Sequence, residues 1–283
     1  MRQPCLSAIR DSFGEGLHML DLTPTGWAVV VLCAIMVGAS KTGIPGIGIL
    51  VVPLMALVIQ PADKSVGALL GMLILADVFA VVYHRYNAKW LHVLRLLPAA
   101  TAGIVAAYFG LKALGNSEYL KPIIGGIVLG MLVLNYWRTR NEGADARIPT
   151  QWWFAGALGF VAGVTTMMAN AAGPVMIIYL LAMKLDKMKF VGTAAWFFFL
   201  VNWLKVPFSR SLEMMTAESI RLDLTMLPFI ALGALAGVYL LKRLDQKTFQ
   251  SVVQILAFAA ALKLFLSPWV NVETIKALFA GAP

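Results

Sequence analysis

Eight apolar runs dominate the sequence, and their lengths constrain the fold more than any other feature of the chain. They cover residues 26–59, 65–83, 96–111, 122–137, 152–183, 190–208, 224–241 and 252–266. A helix needs about 20 mostly apolar residues to cross the roughly 30 Å hydrocarbon core of a bilayer. Charged residues make up only 13% of the chain, against about a quarter in soluble domains. The pattern predicts an all-α polytopic membrane protein with about 8–10 transmembrane helical segments.

The net charge of +9 comes from lysines and arginines that gather between the apolar runs, as the positive-inside rule expects. Their placement indicates a protein that lies in a lipid bilayer and does not bind nucleic acid. The two cysteines, Cys5 and Cys33, can form neither a disulfide framework nor a Cys-based metal site. His18, His84 and His92 lie near segment ends without metal-binding spacing, so we expect them in loops or at the membrane interface. The sequence predicts no cofactor and no metal.

The two halves of the chain align with each other, which indicates a duplication. Glycines and polar or charged positions match in order when the first half is shifted by 125 residues, and by 130 further along. The matched pairs include Gly38 with Gly163, Asp77 with Asn202, Arg85 with Arg210, Gly103 with Gly233 and Lys112 with Lys242. The predicted segments are an N-terminal polar or interfacial segment (1–25), a first transmembrane repeat (26–137), a polar linker (138–151), a second transmembrane repeat (152–266) and a C-terminal tail (267–283).

The first long run of each half is predicted to be broken. A continuous helix over residues 26–59 would be about 50 Å long, which is too long for one ordinary span. The stretch GASKTGIPGIG begins at Gly38, and GVTTMMANAAGP begins at the equivalent Gly163. Glycine and proline weaken or stop helices, and non-helical backbone survives at membrane depth only where protein or a water-filled cavity satisfies its amides. Each broken segment could be a re-entrant hairpin, two short spans or one interrupted span.

The number of crossings per half decides how the two halves are oriented. A hairpin or two short spans followed by three further spans gives an odd number, so the duplicated halves would form an inverted repeat. Basic residues are more numerous on the side that carries the linker in this arrangement, which predicts a cytoplasmic linker and external termini. One interrupted span per half would give a parallel repeat instead, and the sequence leaves that alternative open.

The two breaks are the predicted substrate site. Inverted repeats with discontinuous helices are common in secondary transporters, whose sites lie at the repeat interface. Helix N-termini near Gly48 and Gly173 would present amide donors and partial positive charge, and Lys41 adds a full charge, so the ligand is expected to be an anion. The predicted substrate-binding residues are Lys41, Thr42, Gly46, Gly48, Asn170 and Gly173, with Asn202 and Lys205 as secondary candidates.

Each of these candidates also has a simpler interpretation. Lys41 could be a solvated loop lysine if its break lay at the membrane surface, and Asn170 could merely cap a helix end. Asp77 lies in mid-span, where a carboxylate must pair, face water or take up a proton. It could therefore pair with Lys41 or carry a coupling proton. Lys205 lies near the end of its run and could extend its ammonium group to the interface.

Four stretches resemble the sulfite exporter TauE/SafE family, also called the 4-toluene sulfonate uptake permease family. They are SKTGIPGIGILVVPLMAL, GALLGMLILADVFAVVYHR, GFVAGVTTMMANAAGPVMIIYLL and FVGTAAWFFFLVNWLKVPFS. The resemblance implies an inner-membrane transporter of two duplicated halves that moves sulfite, sulfonates or related small anions with the proton motive force. Many members have a glycine-richer break followed by proline, whereas Lys41 and Pro45 interrupt the first break of this chain and Asn170 occupies the second.

The sequence thus predicts a secondary transporter of small, sulfur-containing anions and not an enzyme. A passive anion channel that uses the same site is the first alternative. A membrane subunit of an enzyme system for sulfur metabolism is the second, although no GxSxG, Walker A or HExxH motif appears. The sequence leaves open which anion moves, in which direction, with which coupling ion, and in which oligomeric state, a homodimer included.

Overall fold

The computed structural model describes residues 22–43, 47–115, 119–140 and 152–240, together with 255, 258, 259, 261–263, 265 and 266. This part of the chain is all-helical and contains no strand. Its helices are α1 (Pro24–Thr42), α2 (Gly48–Val58), α3 (Ala62–His84), α4 (Trp90–Leu114), α5 (Leu120–Arg140), α6 (Trp152–Ala169), α7 (Gly173–Ala182), α8 (Lys187–Ser211) and α9 (Ala217–Leu240). The predicted N-terminal segment, linker and C-terminal tail lie largely outside the described residues, so the segment boundaries stay predictions.

The described helices form a multi-pass membrane bundle. Six of them, α1, α3, α4, α6, α8 and α9, are long and apolar enough to cross a bilayer, whereas α2 and the segment Leu120–Leu134 of α5 are shorter apolar helices. Large apolar side chains on the outside of the bundle stay exposed, such as Val82, Leu91 and Leu235. Such a surface is stable in a bilayer, because lipid chains are as apolar as leucine and valine and burying these side chains in protein gains no hydrophobic free energy.

Two helix pairs make the closest contacts, α1 with α9 and α4 with α6. In both pairs the backbones meet at glycines, Gly38 beside Gly233 and Gly163 beside Gly103. A Cβ atom on Gly38 would lie 2.1 Å from a backbone oxygen of α9, and one on Gly163 would lie 2.1 Å from a backbone oxygen of α4. Small residues allow membrane helices to approach this closely. Since Gly38 aligns with Gly163 and Gly103 with Gly233, the two contacts join equivalent positions of the two halves.

Helix α1 ends within the glycine- and proline-containing stretch of the first half. Its last residue is Thr42, and the backbone N–H of Gly43 closes the turn by donating to the Ala39 carbonyl at 3.1 Å. Residues 44–46 are outside the described part of the chain, and α2 begins at Gly48. The last turn of α1 and the first turn of α2 therefore both lie at the stretch that the sequence marks as helix-breaking.

Helix α6 ends at Ala169 through a cap that uses asparagine in the place of glycine. Asn170 has a left-handed backbone with φ of 52°, a conformation that asparagine tolerates better than most residues. The following N–H, of Ala171, donates to the Thr165 carbonyl at 3.3 Å, which satisfies a helix-end carbonyl in the manner of a Schellman motif. The next helix, α7, begins three residues later at Gly173.

The close contact between α4 and α6 can be tested with one added methyl group. We expect Gly163→Ala to lower the free energy of unfolding by about 1–3 kcal/mol, because overpacking forces a well-packed interface apart. Gly156→Ala on the same helix is the matched control, since its Cβ would meet nothing within 4 Å, and it should be neutral or slightly stabilising. Thermal unfolding in detergent measures both variants, and equal melting temperatures would contradict the contact.

Candidate functional site

A cavity of about 120 Å³ lies between the ends of α1 and α6 and the starts of α2 and α7. The lining residues from these helix ends include Ser40, Lys41, Gly43, Gly48, Thr166, Asn170 and Gly173. Most other lining side chains are apolar, from α2, α3, α7 and α8. A space of this size holds several water molecules or one small solute.

Lys41 joins the cavity wall to the buried carboxylate of Asp77. Its Nζ atom lies 2.8 Å from Asp77 Oδ1, and the exposed fractions of the two side chains are 11% and 0%. The same ammonium group lies 4.2 Å from the centre of the Phe198 ring, a favourable cation–π arrangement. The other carboxylate oxygen of Asp77 accepts a hydrogen bond of 2.6 Å from Asn202 Nδ2. The carboxylate is thus compensated from both α1 and α8.

Lys205 of α8 points into the bundle and is fully buried. Its ammonium group donates to Thr166 Oγ1 at 3.2 Å and to Asn170 Oδ1. Asn170 in turn donates from Nδ2 to the Val66 carbonyl at 2.9 Å. Because Thr166 Oγ1 accepts from Lys205, the hydroxyl proton of Thr166 remains available to a ligand in the cavity that this residue lines. Lys205 therefore acts on the cavity through its neighbours and does not reach towards the membrane surface.

Two lysines and a single carboxylate lie around this site among the described side chains. Lys41 forms its ion pair with Asp77, whereas Lys205 hydrogen-bonds Thr166 and Asn170. Ionisable groups inside a membrane bundle need compensation, and a bound anion would interact favourably with Lys41. The first turns of α2 and α7, at Gly48 and Gly173, add amide donors and the positive end of each helix dipole. This set of donors can hold a small anion.

The structure brings most of the predicted site residues to this cavity. The predicted residues that line it are Lys41, Gly48, Asn170, Gly173 and Asn202. Lys205 does not line the cavity but donates hydrogen bonds to Thr166 and Asn170, which do. Asp77 lies behind Lys41.

One predicted substrate-binding residue, Thr42, does not line the cavity, and the position of another, Gly46, is not described. Thr42 is buried, and its hydroxyl donates to the carbonyls of Ala234 at 2.8 Å and Gly38 at 3.1 Å. These bonds tie the end of α1 to α9 and leave Thr42 out of the cavity lining. Gly46 lies outside the described residues.

Two residues that sequence reasoning did not place at the site also lie in this region. Phe198 belongs to a run of three phenylalanines typical of helix packing, yet its ring faces the Lys41 ammonium group. His84, which the sequence predicted to lie in a loop or at the membrane interface, belongs to α3 as its last residue and is 1% exposed, so it is not a loop residue. The available signal was its spacing of seven residues from Asp77, which puts both residues on one face of a helix.

The ion pair predicts a strong coupling between two substitutions. Lys41→Met should lower the free energy of unfolding by about 3–5 kcal/mol, because it leaves a buried carboxylate without its cation. Combining Lys41→Met with Asp77→Asn should recover most of this loss, since no buried charge is then left unpaired. Thermal unfolding of the wild type, the two single variants and the double variant gives the coupling. Strictly additive effects would contradict the ion pair.

Comparison with known proteins identifies the family. The family model described as Sulfite exporter TauE/SafE matches residues 30–264, which include both helix ends that line the cavity. Neither the curated proteins nor the solved structures gave a match. The resemblance found in the sequence is confirmed. With six apolar helices long enough to span a bilayer, the chain belongs to the sulfite exporter TauE/SafE family of membrane transport proteins.

Proposed function

We propose that the protein is a secondary transporter of small anions, with sulfite or organosulfonates as substrates and the proton motive force as the energy source. The observation that carries the proposal is a cavity with Lys41 in its wall, where Lys41 pairs with the single carboxylate of Asp77 and Lys205 binds the lining residues Thr166 and Asn170. Lys41, the Thr166 hydroxyl and the amides that begin α2 and α7 would bind the substrate. Sulfite and sulfonates present several acceptor oxygens around one sulfur atom, which suits donors that converge from several directions.

We further propose that the two halves form an inverted repeat around this site. The equivalent glycine contacts of α1 with α9 and of α4 with α6 support a twofold relation between the halves. The hydrogen bond between the equivalent residues Asp77 and Asn202 supports an axis passing close to the site. In this class of transporter, one half rocks against the other and exposes a site near the bilayer midplane to each side in turn. The membrane is the inner (plasma) membrane, with the linker cytoplasmic and the termini external.

Asp77 is proposed to carry the coupling proton. An anion that binds Lys41 competes with Asp77 for the same ammonium group. A buried carboxylate that loses its cation is strongly unfavourable, and taking up a proton removes its charge. Each binding event then favours the other, which is the thermodynamic condition for coupling an anion to a proton.

Lys41→Ala should weaken anion binding by about 10–100-fold, the effect of removing a charged hydrogen-bond donor. Thermal-shift titrations with sulfite, thiosulfate, methanesulfonate and small carboxylates provide the measurement, because a ligand of the folded state raises the melting temperature. Lys189→Ala is the matched control, since Lys189 pairs with Asp186 at the exposed start of α8. Unchanged anion affinity in Lys41→Ala would remove this lysine from the site.

Asp77→Asn should exchange anions across the membrane yet fail to respond to an imposed pH gradient, because the amide cannot take up the coupling proton. Proteoliposomes with labelled anion measure both activities. The wild type should accumulate anion against its gradient when a proton gradient is imposed, whereas a passive channel would only dissipate the anion gradient. A normal pH response in Asp77→Asn would rule out the coupling role of Asp77.

A further inference from the structure

His84 is a buried titratable side chain to which neither the ion pair nor the cavity assigns a role. It is the last residue of α3 and is 1% exposed. Its ring lies against the backbone of Thr42, but neither ring nitrogen makes a hydrogen bond of normal geometry within the described part of the chain. Leaving a buried polar group without a partner costs about 1–3 kcal/mol, so a histidine at this position needs an explanation beyond packing.

His84 and Asp77 lie on one face of α3 and both face the end of α1. Their spacing of seven residues corresponds to nearly two turns and a rise of about 10 Å. Asp77 contacts Lys41 Nζ at 2.8 Å, and the His84 ring lies beside the backbone of Thr42. The last carbonyls of α1 have no partner within their own helix. Such carbonyls can accept hydrogen bonds from water at the end of α1.

The groups that surround α3 leave the histidine ring free of charged contacts. Helices α1, α2, α5, α8 and α9 pack on α3. The polar or ionisable residues of these helices include Lys41 and Thr42 of α1, Lys121 of α5, Asn202 and Lys205 of α8, and Asp223 of α9. Lys41 and Asn202 bind Asp77, Lys205 binds Asn170, and Asp223 lies against Gly71. Among the described residues, no hydrogen bond or ion pair joins a titratable side chain to the ring.

We propose that His84 relays protons between Asp77 and the membrane face at which α3 ends. The relay depends on the proposed coupling at Asp77 and adds the route by which its proton arrives or leaves. One ring nitrogen takes a proton from water at that face, and the other releases a proton through ordered water towards the carboxylate. Proton exchange or a ring flip then restores the starting tautomer, so the histidine is unchanged after each cycle. His84 moves the proton and does not bind the anion.

The test compares His84→Gln with His92→Gln in proteoliposomes that contain the full chain. His92 is the matched control because it lies on α4 and its Nδ1 atom is hydrogen-bonded to the Tyr179 hydroxyl at 3.0 Å. The probe is whichever of sulfite, thiosulfate and methanesulfonate the wild type accumulates. Two activities are measured: exchange of labelled for unlabelled anion at equal pH, and accumulation driven by a proton gradient with a trapped pH-sensitive dye.

We expect His84→Gln to keep its exchange rate while proton-driven accumulation falls on the order of a hundredfold, the contribution typical of a proton-transfer group. His92→Gln should keep both activities. Retention of both activities in His84→Gln, an equal loss of both, or the same selective loss in His92→Gln would overturn the relay. If the wild type accumulates none of the three anions, the proposed function fails and the relay fails with it. Accumulation without proton movement would overturn the coupling and the relay while leaving anion transport in place.

Discussion

The buried ion pair between Lys41 and Asp77 is the interaction on which the rest of the site depends. A carboxylate with no exposed surface is stable inside an apolar bundle only when it is compensated. Lys41 compensates it from the last turn of α1, and Asn202 does so from α8. These contacts join α1, α3 and α8 at one point in the bundle and direct the end of α1 towards the cavity. The charged centre and the predicted substrate site therefore occupy the same place in the protein.

The two halves resemble each other in packing but not in charge. Their glycine contacts are equivalent, yet the positions equivalent to Lys41 and Asp77 carry Thr166 and Asn202 in the second half. All four residues lie around one centre, with Lys205 as a second cation beside Thr166. In the proposed mechanism, the similar packing would allow the two halves to move against each other, and the single ion pair would be the group that takes up the coupling proton.

The apolar runs predicted the helical class, and the rarity of charge within them drew attention to Lys41 and Asp77, which form an ion pair in the structure. The family resemblance was also correct. Residues near helix ends were harder to interpret, since a side chain there can turn inward or outward and only tertiary packing decides. Lys205 turns to Thr166, His84 turns inward, and Thr42 turns towards α9. Sequence spacing alone does not show which way these side chains point.

The direct measurement is the position of a bound anion. Crystals grown with selenite, whose selenium atom replaces the sulfur of sulfite, locate the anion by anomalous scattering. We expect one dominant peak inside the cavity, within ion-pair distance of Lys41 Nζ and within hydrogen-bond reach of the Thr166 hydroxyl. A dominant peak elsewhere, or an unoccupied cavity at saturating selenite, would contradict a site built on the Lys41–Asp77 pair.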